Sequence, residues 1–349
     1  MTKVPANLVD TPVSAYLTKM GYTRIHQGKV RDTYMIDKKR LLVVATDRIS
    51  IFDFVLNALI PKKGEVLTAL THFWLMNYFG ERNHLINSAY TDAFNAAFDL
   101  REESLSDLPL ERCLVVKNLK GELYPFEMIL RHHIGGSVFK EYQKTGKAGG
   151  HELPVGLPRW SKLENPIFTP STKEEVGHDI NIDADYFFKT MKEKGLEKES
   201  KEVVDMITKV YRKAYAFAEE KGILIIDTKL EVAGLTIVDE ILTPDSSRFV
   251  FKEDWVKAMA EGRDPKFLDK EPVRAWGRKI ETPFVDAGGF EFIIGINNLD
   301  PENPEHVSFV HGLELPKEVI EKTTERYVNL VEKITGMNLE RYQDIMIGV

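Results

Sequence analysis

The sequence predicts a mixed α+β protein in two lobes, with antiparallel sheets flanked by helices. Three observations predict it. Short apolar or β-branched runs bounded by glycine and polar turns recur at residues 24–34, 41–46, 114–116, 125–131 and 223–240, as strands and hairpins do. Stretches of helical period lie between them, chiefly at 64–78, 201–221 and 316–337. The chain has 349 residues, 43% of them hydrophobic, which suffices for a substantial core in two parts. The expected boundary falls at 117/118, giving lobes 1–117 and 118–349.

Composition narrows the function classes. Cys113 is the single cysteine, so no intrachain disulfide can form and a reducing, cytoplasmic setting is expected. MTKVPANLVDTP at the start lacks the apolar segment of a signal peptide, and no run approaches the roughly 18 apolar residues of a spanning helix, so no membrane partner is expected. A net charge of −7 argues against broad nucleic-acid binding. It leaves room for a small phosphate pocket built from a few local cations.

Taken in order, the chain opens with a lead-in and one short helix. RIHQGKVRDTY (24–34) then reads as a hairpin whose Gly28 permits a close backbone approach, with Lys29 and Arg31 on one face able to hold a polyphosphate. Exposed cations on an edge strand give the same pattern. No GxxxxGK[ST] or GxGxxG segment occurs, which disfavours P-loop and dinucleotide sites. TDRISIFDF (46–54) gathers Asp47, Ser50 and Asp53 in a polar knot between apolar runs, where such residues serve either function or ordinary turns. The helix at 64–78 is read as structural, with His72 packed rather than liganding.

The strand at 114–116 leads through a turn at 117–124 into PFEMILR (125–131), an arrangement able to meet an adenine edge with its backbone. Arg131 runs on into HHIGGS, so a cation precedes a glycine pair and Ser137, the ingredients of a phosphate clamp. The adjacent His132 and His133 lack metal-ligand spacing on a helix. Residues 144–181, rich in Gly and Pro, read as a long binding loop without periodicity. Two helices follow, the second closed by Gly222.

ILIIDTKLEVAGLTIVDE (223–240) places Asp227, Lys229 and Glu231 at alternate positions, hence on one face of a strand and roughly 6 to 7 Å apart. A strand with one wet face shows the same alternation as a binding site. LTPDSSRF (242–249) then offers a turn with Arg248, followed by helices at 254–261 and 270–278, a loop-rich segment at 281–312 and a final amphipathic helix.

Six of these segments together resemble the SAICAR synthetase family, the purine-pathway ligases also called phosphoribosylaminoimidazole-succinocarboxamide synthases. PFEMILRHHIGGS and IIDTKLEVAG carry most of the likeness; GKVRDTY, TDRISIFDF, PIFTPSTKEEVGHD and DEILTPDSSRF support it. The resemblance implies a ligase that joins L-aspartate to carboxyaminoimidazole ribonucleotide at the expense of ATP, on a fold similar to the nucleotide-binding parts of ATP-grasp enzymes and protein kinases. It implies that Lys29 and Arg31 hold ATP phosphates, that Lys117 to Leu119 meet the adenine, and that Glu231 and Asp239 bind Mg²⁺. Arg131, Ser137 and Arg248 would clamp the ribonucleotide phosphate. Ser50, Asp53, Lys173, Asp179, Asp227 and Lys229 would line the reacting centre, either Asp179 or Asp53 taking the proton of the attacking amine.

Two departures stand out. Gly135 occupies a place where the family pattern leads one to expect threonine or alanine, and 281–312 looks like an insertion, read as a surface excursion in preference to an oligomer contact. A kinase-like phosphotransferase and a non-catalytic nucleotide-binding relative are the rival readings; the absence of HRD and DFG segments weighs against the first. Family likeness also favours Asp239 sharing the face of Glu231, which would take a longer turn than Ala233-Gly234 or a bulge.

Overall fold

The computed structural model describes residues 3–9, 11–88, 109–173, 180–286, 288 and 291–348. Its backbone contacts define two compact units. The first comprises Met1–Ala69, Leu85–Asn118 and Asp269–Val349; the second comprises Leu70–His84 and Leu119–Leu268. One crossing thus falls within a residue of the expected boundary at 117/118, while the segment from Asp269 onward packs with the first unit rather than the second.

In the first unit, β1 (Thr23–Gln27), β2 (Arg31–Met35), β3 (Arg40–Ala45), β6 (Leu85–Ser88) and β7 (Cys113–Lys117) form an antiparallel sheet in the order β1-β2-β3-β7-β6. Alternation sorts its apolar residues onto two faces. Leu41, Leu114 and Val116 pack with Ile25, Met35, Val43 and Leu85 on one, while Leu42, Val44 and Val115 are buried on the other. A separate hairpin of β4 (Arg48–Ile51) and β5 (Phe54–Leu59) buries Ile49, Ile51, Phe54 and Leu56 against Val273, Ile296, Leu299, Val307 and Val310. The 281–312 segment is therefore part of a core, not the surface excursion expected of it. It carries strands Glu281–Val285 and Phe292–Ile294 and the helix Pro304–His311. Helix Lys317–Thr335 buries Tyr327, Leu330, Val331 and Ile334, as its amphipathic pattern requires.

The second unit is built on β8 (Phe126–His133), β11 (Lys162–Phe168), β12 (Ser171–Thr172), β13 (Ile223–Ala233), β14 (Thr236–Val238) and β15 (Ser247–Phe251), with β9 (Lys147–Ala148) and β10 (His151–Glu152) forming a separate two-stranded ribbon. The strand order is β11-β8-β13-β14, with β12 also on β8 and β15 on β13, all antiparallel. The 24-residue helix Glu197–Glu220 buries Val203, Ile207, Tyr211, Ala214 and Ala218 on one stripe, and Tyr211 donates to the Ile225 carbonyl at 2.8 Å. Gly222, at φ +77°, then turns the chain straight into β13.

Residues 144–181 are less irregular than their composition suggests. β11 lies within them as a strand of the main sheet; Pro166 and a register shift between Lys162 and Ile167 hide it from a period-2 reading. The β13–β14 turn also departs from expectation. Ala233 pairs with Thr236, so the loop is the two residues Gly234 and Leu235, neither a longer turn nor a bulge. Instead β14 stops at Val238 and Asp239 takes a left-handed backbone, φ +61°, which ends the strand alternation at that residue.

Candidate active site

The alternation at Asp227, Lys229 and Glu231 is realised, and each charge meets an opposite one, from β8 and β15 for the first two and from Lys173, just past β12, for the third. β8 runs antiparallel to β13 with Arg131 opposite Asp227 and Ile129 opposite Lys229, which puts Glu127, Ile129 and Arg131 on the same face. Arg131 Nη1 and Arg248 Nη1 each lie 2.8 Å from Asp227 Oδ2. Lys229 contacts Glu127, and Lys173 Nζ is 2.5 Å from Glu231 Oε2. Arg131 also donates from Nε to Thr169 Oγ1 at 2.9 Å. A buried carboxylate facing two guanidiniums leaves a local surplus of positive charge. Burial lowers the guanidinium pKa of Arg131, and Arg248 beside it works in the same direction.

The segment expected to form a phosphate clamp lies at the end of β8. Ile134 is buried, and the chain passes through Gly135 and Gly136 into the helix Ser137–Thr145. Gly136 has φ +64°, a conformation that calls for glycine, and its lack of a Cβ lets the Arg248 guanidinium lie where a Cβ would come within 2.8 Å of it. Arg248 is thus seated beside the first turn of a helix, where unpaired N–H groups and the helix dipole favour an anion. Ser137 Oγ approaches Asn181 Oδ1 at 3.4 Å. Arg131, Ser137 and Arg248 therefore lie in one unit around two consecutive features of the chain. A cavity of about 230 Å³ lies alongside, lined by Val138, Glu141, Gly149, Thr169, Asn181 and Asp183 among others.

His132 and His133 do not join this chemistry. His133 is enclosed, with its ring nitrogens toward Tyr215 Oη at 2.9 Å and the Trp160 carbonyl at 3.1 Å, and burial lowers its pKa to about 4. Burial also takes His132 and His72 to about 4, so all three are packing residues at neutral pH.

The first unit presents its candidates on turns. Gly28 N–H donates to the Arg31 carbonyl at 2.7 Å, closing the turn that carries Lys29; a Cβ on Gly28 would sit 2.9 Å from that carbonyl oxygen. Arg31 is half-buried on β2. Behind the turn lies Arg48, fully buried, 2.6 Å from Asp32 and donating to the carbonyls of Gly28 at 3.1 Å and Lys29 at 3.3 Å. The β4–β5 turn is Phe52-Asp53, both left-handed at φ +50° and +67°, an arrangement usually left to Asn-Gly. Asp53 contacts Lys29 from that turn. Ser50 is buried opposite Val55. Asp47 resolves as a structural residue: it accepts from Gly64 N–H at 2.9 Å and pairs with Arg112 at 2.7 Å.

Lys117 ends β7, exposed, and Leu119 follows it, half-buried, where the chain crosses between units. Asp179 lies outside the described residues. Among the described residues no three His, Cys, Asp or Glu groups are clustered as a metal cage. The sequence did not single out Arg48, Asp32 or Glu127. Glu127 had a signal, since Glu127, Ile129 and Arg131 alternate opposite Asp227, Lys229 and Glu231; a buried Arg48 had none.

Two guanidiniums on a buried carboxylate, beside a glycine-opened helix end and a line of paired charges, suit an α+β enzyme that handles phosphorylated small molecules. Comparison with known proteins makes the assignment specific. The family model described as SAICAR synthetase matches residues 24–287. The phosphoribosylaminoimidazole-succinocarboxamide synthase of Actinobacillus succinogenes is 39% identical over 327 residues, 91% of this chain and 100% of that protein. Among solved structures, the SAICAR synthase of Saccharomyces cerevisiae, complexed with SAICAR, superposes with a TM-score of 0.70 at 33% identity, covering 91% of this chain and 96% of that one. A SAICAR synthetase in complex with ADP gives a TM-score of 0.56 at 20% identity over 90% of this chain and 98% of that one, a likeness of fold. The chain belongs to the SAICAR synthetase family. It is a ligase of purine biosynthesis.

Proposed function

We propose that this ligase joins L-aspartate to carboxyaminoimidazole ribonucleotide, converting ATP to ADP and phosphate, through an acyl phosphate. The observation that carries the reading is the convergence of Arg131 and Arg248 on Asp227 beside the Gly136–Ser137 helix start. A carboxylate is a poor acyl donor. Its oxygen therefore attacks the γ-phosphorus, the bond to the β-phosphate oxygen breaks, and ADP leaves. The aspartate amine then attacks the acyl carbon, phosphate departs with the original carboxylate oxygen, and the amine gives up a proton.

Each residue group has a part in this scheme. Arg131, Arg248, Ser137 and the helix N–H groups hold the ribonucleotide phosphate and so orient the carboxylate. Lys29 and Arg31 neutralise ATP phosphates, and Lys117 to Leu119 meet the adenine. The left-handed Phe52-Asp53 turn costs about 1–3 kcal/mol per strained residue, the kind of expense found at functional sites. Asp53 or Asp179 accepts the amine proton, and Ser50 contacts substrate at the reacting centre. Lys173, Lys229 and Asp227 balance the charge that moves during phosphoryl transfer.

Glu231 and Asp239 fit Mg²⁺ of one kind. Two carboxylates on one hairpin, without a third acid, His or Cys grouped with them among the described residues, suit an ion that takes most of its oxygens from phosphates and water. Such an ion, when bound, supplies charge neutralisation to the phosphates. Lys173, paired with Glu231, would lie beside such an ion and the phosphates it neutralises. The reading also groups the nucleotide part of the fold with ATP-grasp enzymes and protein kinases, and the site of action with the cytoplasm; among the described residues no helix is long and apolar enough to cross a membrane.

An isotope experiment tests the acyl phosphate. With ¹⁸O in the ribonucleotide carboxylate, one labelled oxygen should appear in the phosphate released. Unlabelled phosphate would refute that step.

A further inference from the structure

Trp160 occupies an unusual place in the second unit. It is buried, at 3% exposure, yet its backbone is left-handed at φ +70°, a conformation bulky side chains rarely adopt. All its polar groups are engaged. Its N–H donates to the Ile134 carbonyl at 2.7 Å, its carbonyl accepts from Trp255 Nε1 at 2.9 Å, and its indole Nε1 donates to Asp264 Oδ1 at 2.7 Å. Phe267 packs edge-on against the ring, with centroids 4.8 Å apart. A strained residue held at this many points is fixed by its surroundings for a purpose other than filling space.

The ring reaches two parts of the candidate phosphate site. Arg248 Cζ lies 5.5 Å from the ring centroid, within the range of a cation–π contact. Gly135 lies against the ring so closely that a Cβ would fall 2.1 Å from Trp160 Cζ3. The same Arg248 guanidinium presses on Gly136 and pairs with Asp227. Three sides of the guanidinium environment are thus an aromatic ring, a glycine and a carboxylate. The departure at Gly135 acquires a physical reason: a threonine or alanine there and this placement of Trp160 exclude each other.

We infer that Trp160 is a positioning residue for the ribonucleotide, holding Arg248 at the start of the Ser137–Thr145 helix, and that Gly135 is the space that admits it. The inference rests on the reading of Arg248 as a ligand of the ribonucleotide phosphate. Trp160 touches no reacting atom, so its effect is confined to one substrate and runs through Arg248. The aromatic plane restricts a side chain that otherwise has many rotamers, and its electron-rich face attracts the half-buried cation and holds it in place.

Steady-state kinetics of the full chain, with each substrate varied in turn, separate the possibilities. Trp160→Leu should raise the KM for carboxyaminoimidazole ribonucleotide about ten-fold, within the range of a single cation–π contact, while the KM for ATP and kcat change less than two-fold. Trp160→Phe, which keeps an aromatic face, should recover most of the loss. In the Arg248→Ala background Trp160→Leu should add nothing further, because the contact is already gone. If Trp160→Leu does not fold cooperatively, Trp160→Phe with and without Arg248→Ala gives the same comparison at smaller amplitude. An unchanged ribonucleotide KM in the Trp160 variants, a uniform loss across all three substrates, or full additivity with Arg248→Ala would each overturn the inference. Arg248→Ala alone tests the underlying reading: if it leaves the ribonucleotide KM unchanged, the phosphate assignment fails independently of Trp160.

Discussion

The two units present their charges by different physical means. On the β8–β13 face of the second unit, regular strands place acid and base at alternate positions, and the register of neighbouring strands supplies each with a partner. In the first unit the charges stand on turns, one held from behind by the buried Arg48–Asp32 pair and the other strained into a left-handed form. The difference teaches that a charged face can be specified by periodicity alone, whereas a charged turn depends on residues far from it in sequence. It also separates the consequences of mutation. Loss of Asp227 leaves Arg131 buried without its carboxylate; loss of Arg48 leaves Asp32 buried and also frees the turn that carries the more exposed Lys29.

The largest effect should follow from Asp227→Ala, which strips the partner from a fully enclosed Arg131. Breaking such a pair costs about 3–5 kcal/mol; urea unfolding should show that loss, together with turnover near background. If stability held, the face would be more solvated than its burial implies.

Arg48→Met tests the turn side of the comparison. It should destabilise by about 3 kcal/mol because Asp32 stays buried, and it should raise the KM for ATP. The double variant with Asp32→Leu should regain most of the stability but not the ATP affinity, since the carbonyls of Gly28 and Lys29 would still lack their donor. Recovery of both would reduce Arg48 to a core residue.

Acid should act on the second unit through its buried histidines. His72 and His133 have folded-state values of about 4, below the value of 6.5 they hold when exposed, with burial as the chief cause. Between those limits the unfolded chain binds protons that the folded chain refuses, so stability is complete above about pH 6.5 and falls as pH drops toward 4. Each ring contributes at most about 3 kcal/mol over that window. The midpoint of urea unfolding should shift accordingly, and His72→Phe should flatten the curve; a pH-independent midpoint would contradict the burial of these rings.

The smallest effect carries an opposite sign. Asp53→Gly should stabilise by about 1 kcal/mol, because glycine adopts φ +67° without strain, while turnover falls. A thermal melt read beside the assay checks both. A destabilised but fully active variant would make Asp53 an ordinary turn residue.

How much of this was legible in the sequence follows the same division. Asp227, Lys229 and Glu231 were placed on one face by a period of two, and the strands at β8 and β13 by their apolar runs. Gly222 as a helix stop and the stripe of Glu197–Glu220 were equally plain. β11 was missed because Pro166 and a bulge remove the alternation that marks a strand. The β13–β14 turn was misjudged because register arguments assume extended residues, and Asp239 is not one. Residues 281–312 were read as surface because their apolar positions, Ile296, Leu299, Val307 and Val310, are spread over a turn and a helix, and only tertiary packing unites them. Arg48 and Trp160 were invisible for a related reason: the burial of one and the backbone of the other are set by neighbours distant in the chain.

A ligase of this kind requires both acceptor and amine for turnover. Steady-state ADP release from the purified protein, measured with ATP and each other substrate omitted in turn, should occur only when aspartate and carboxyaminoimidazole ribonucleotide are both present. ADP release that continues undiminished without either one would contradict it.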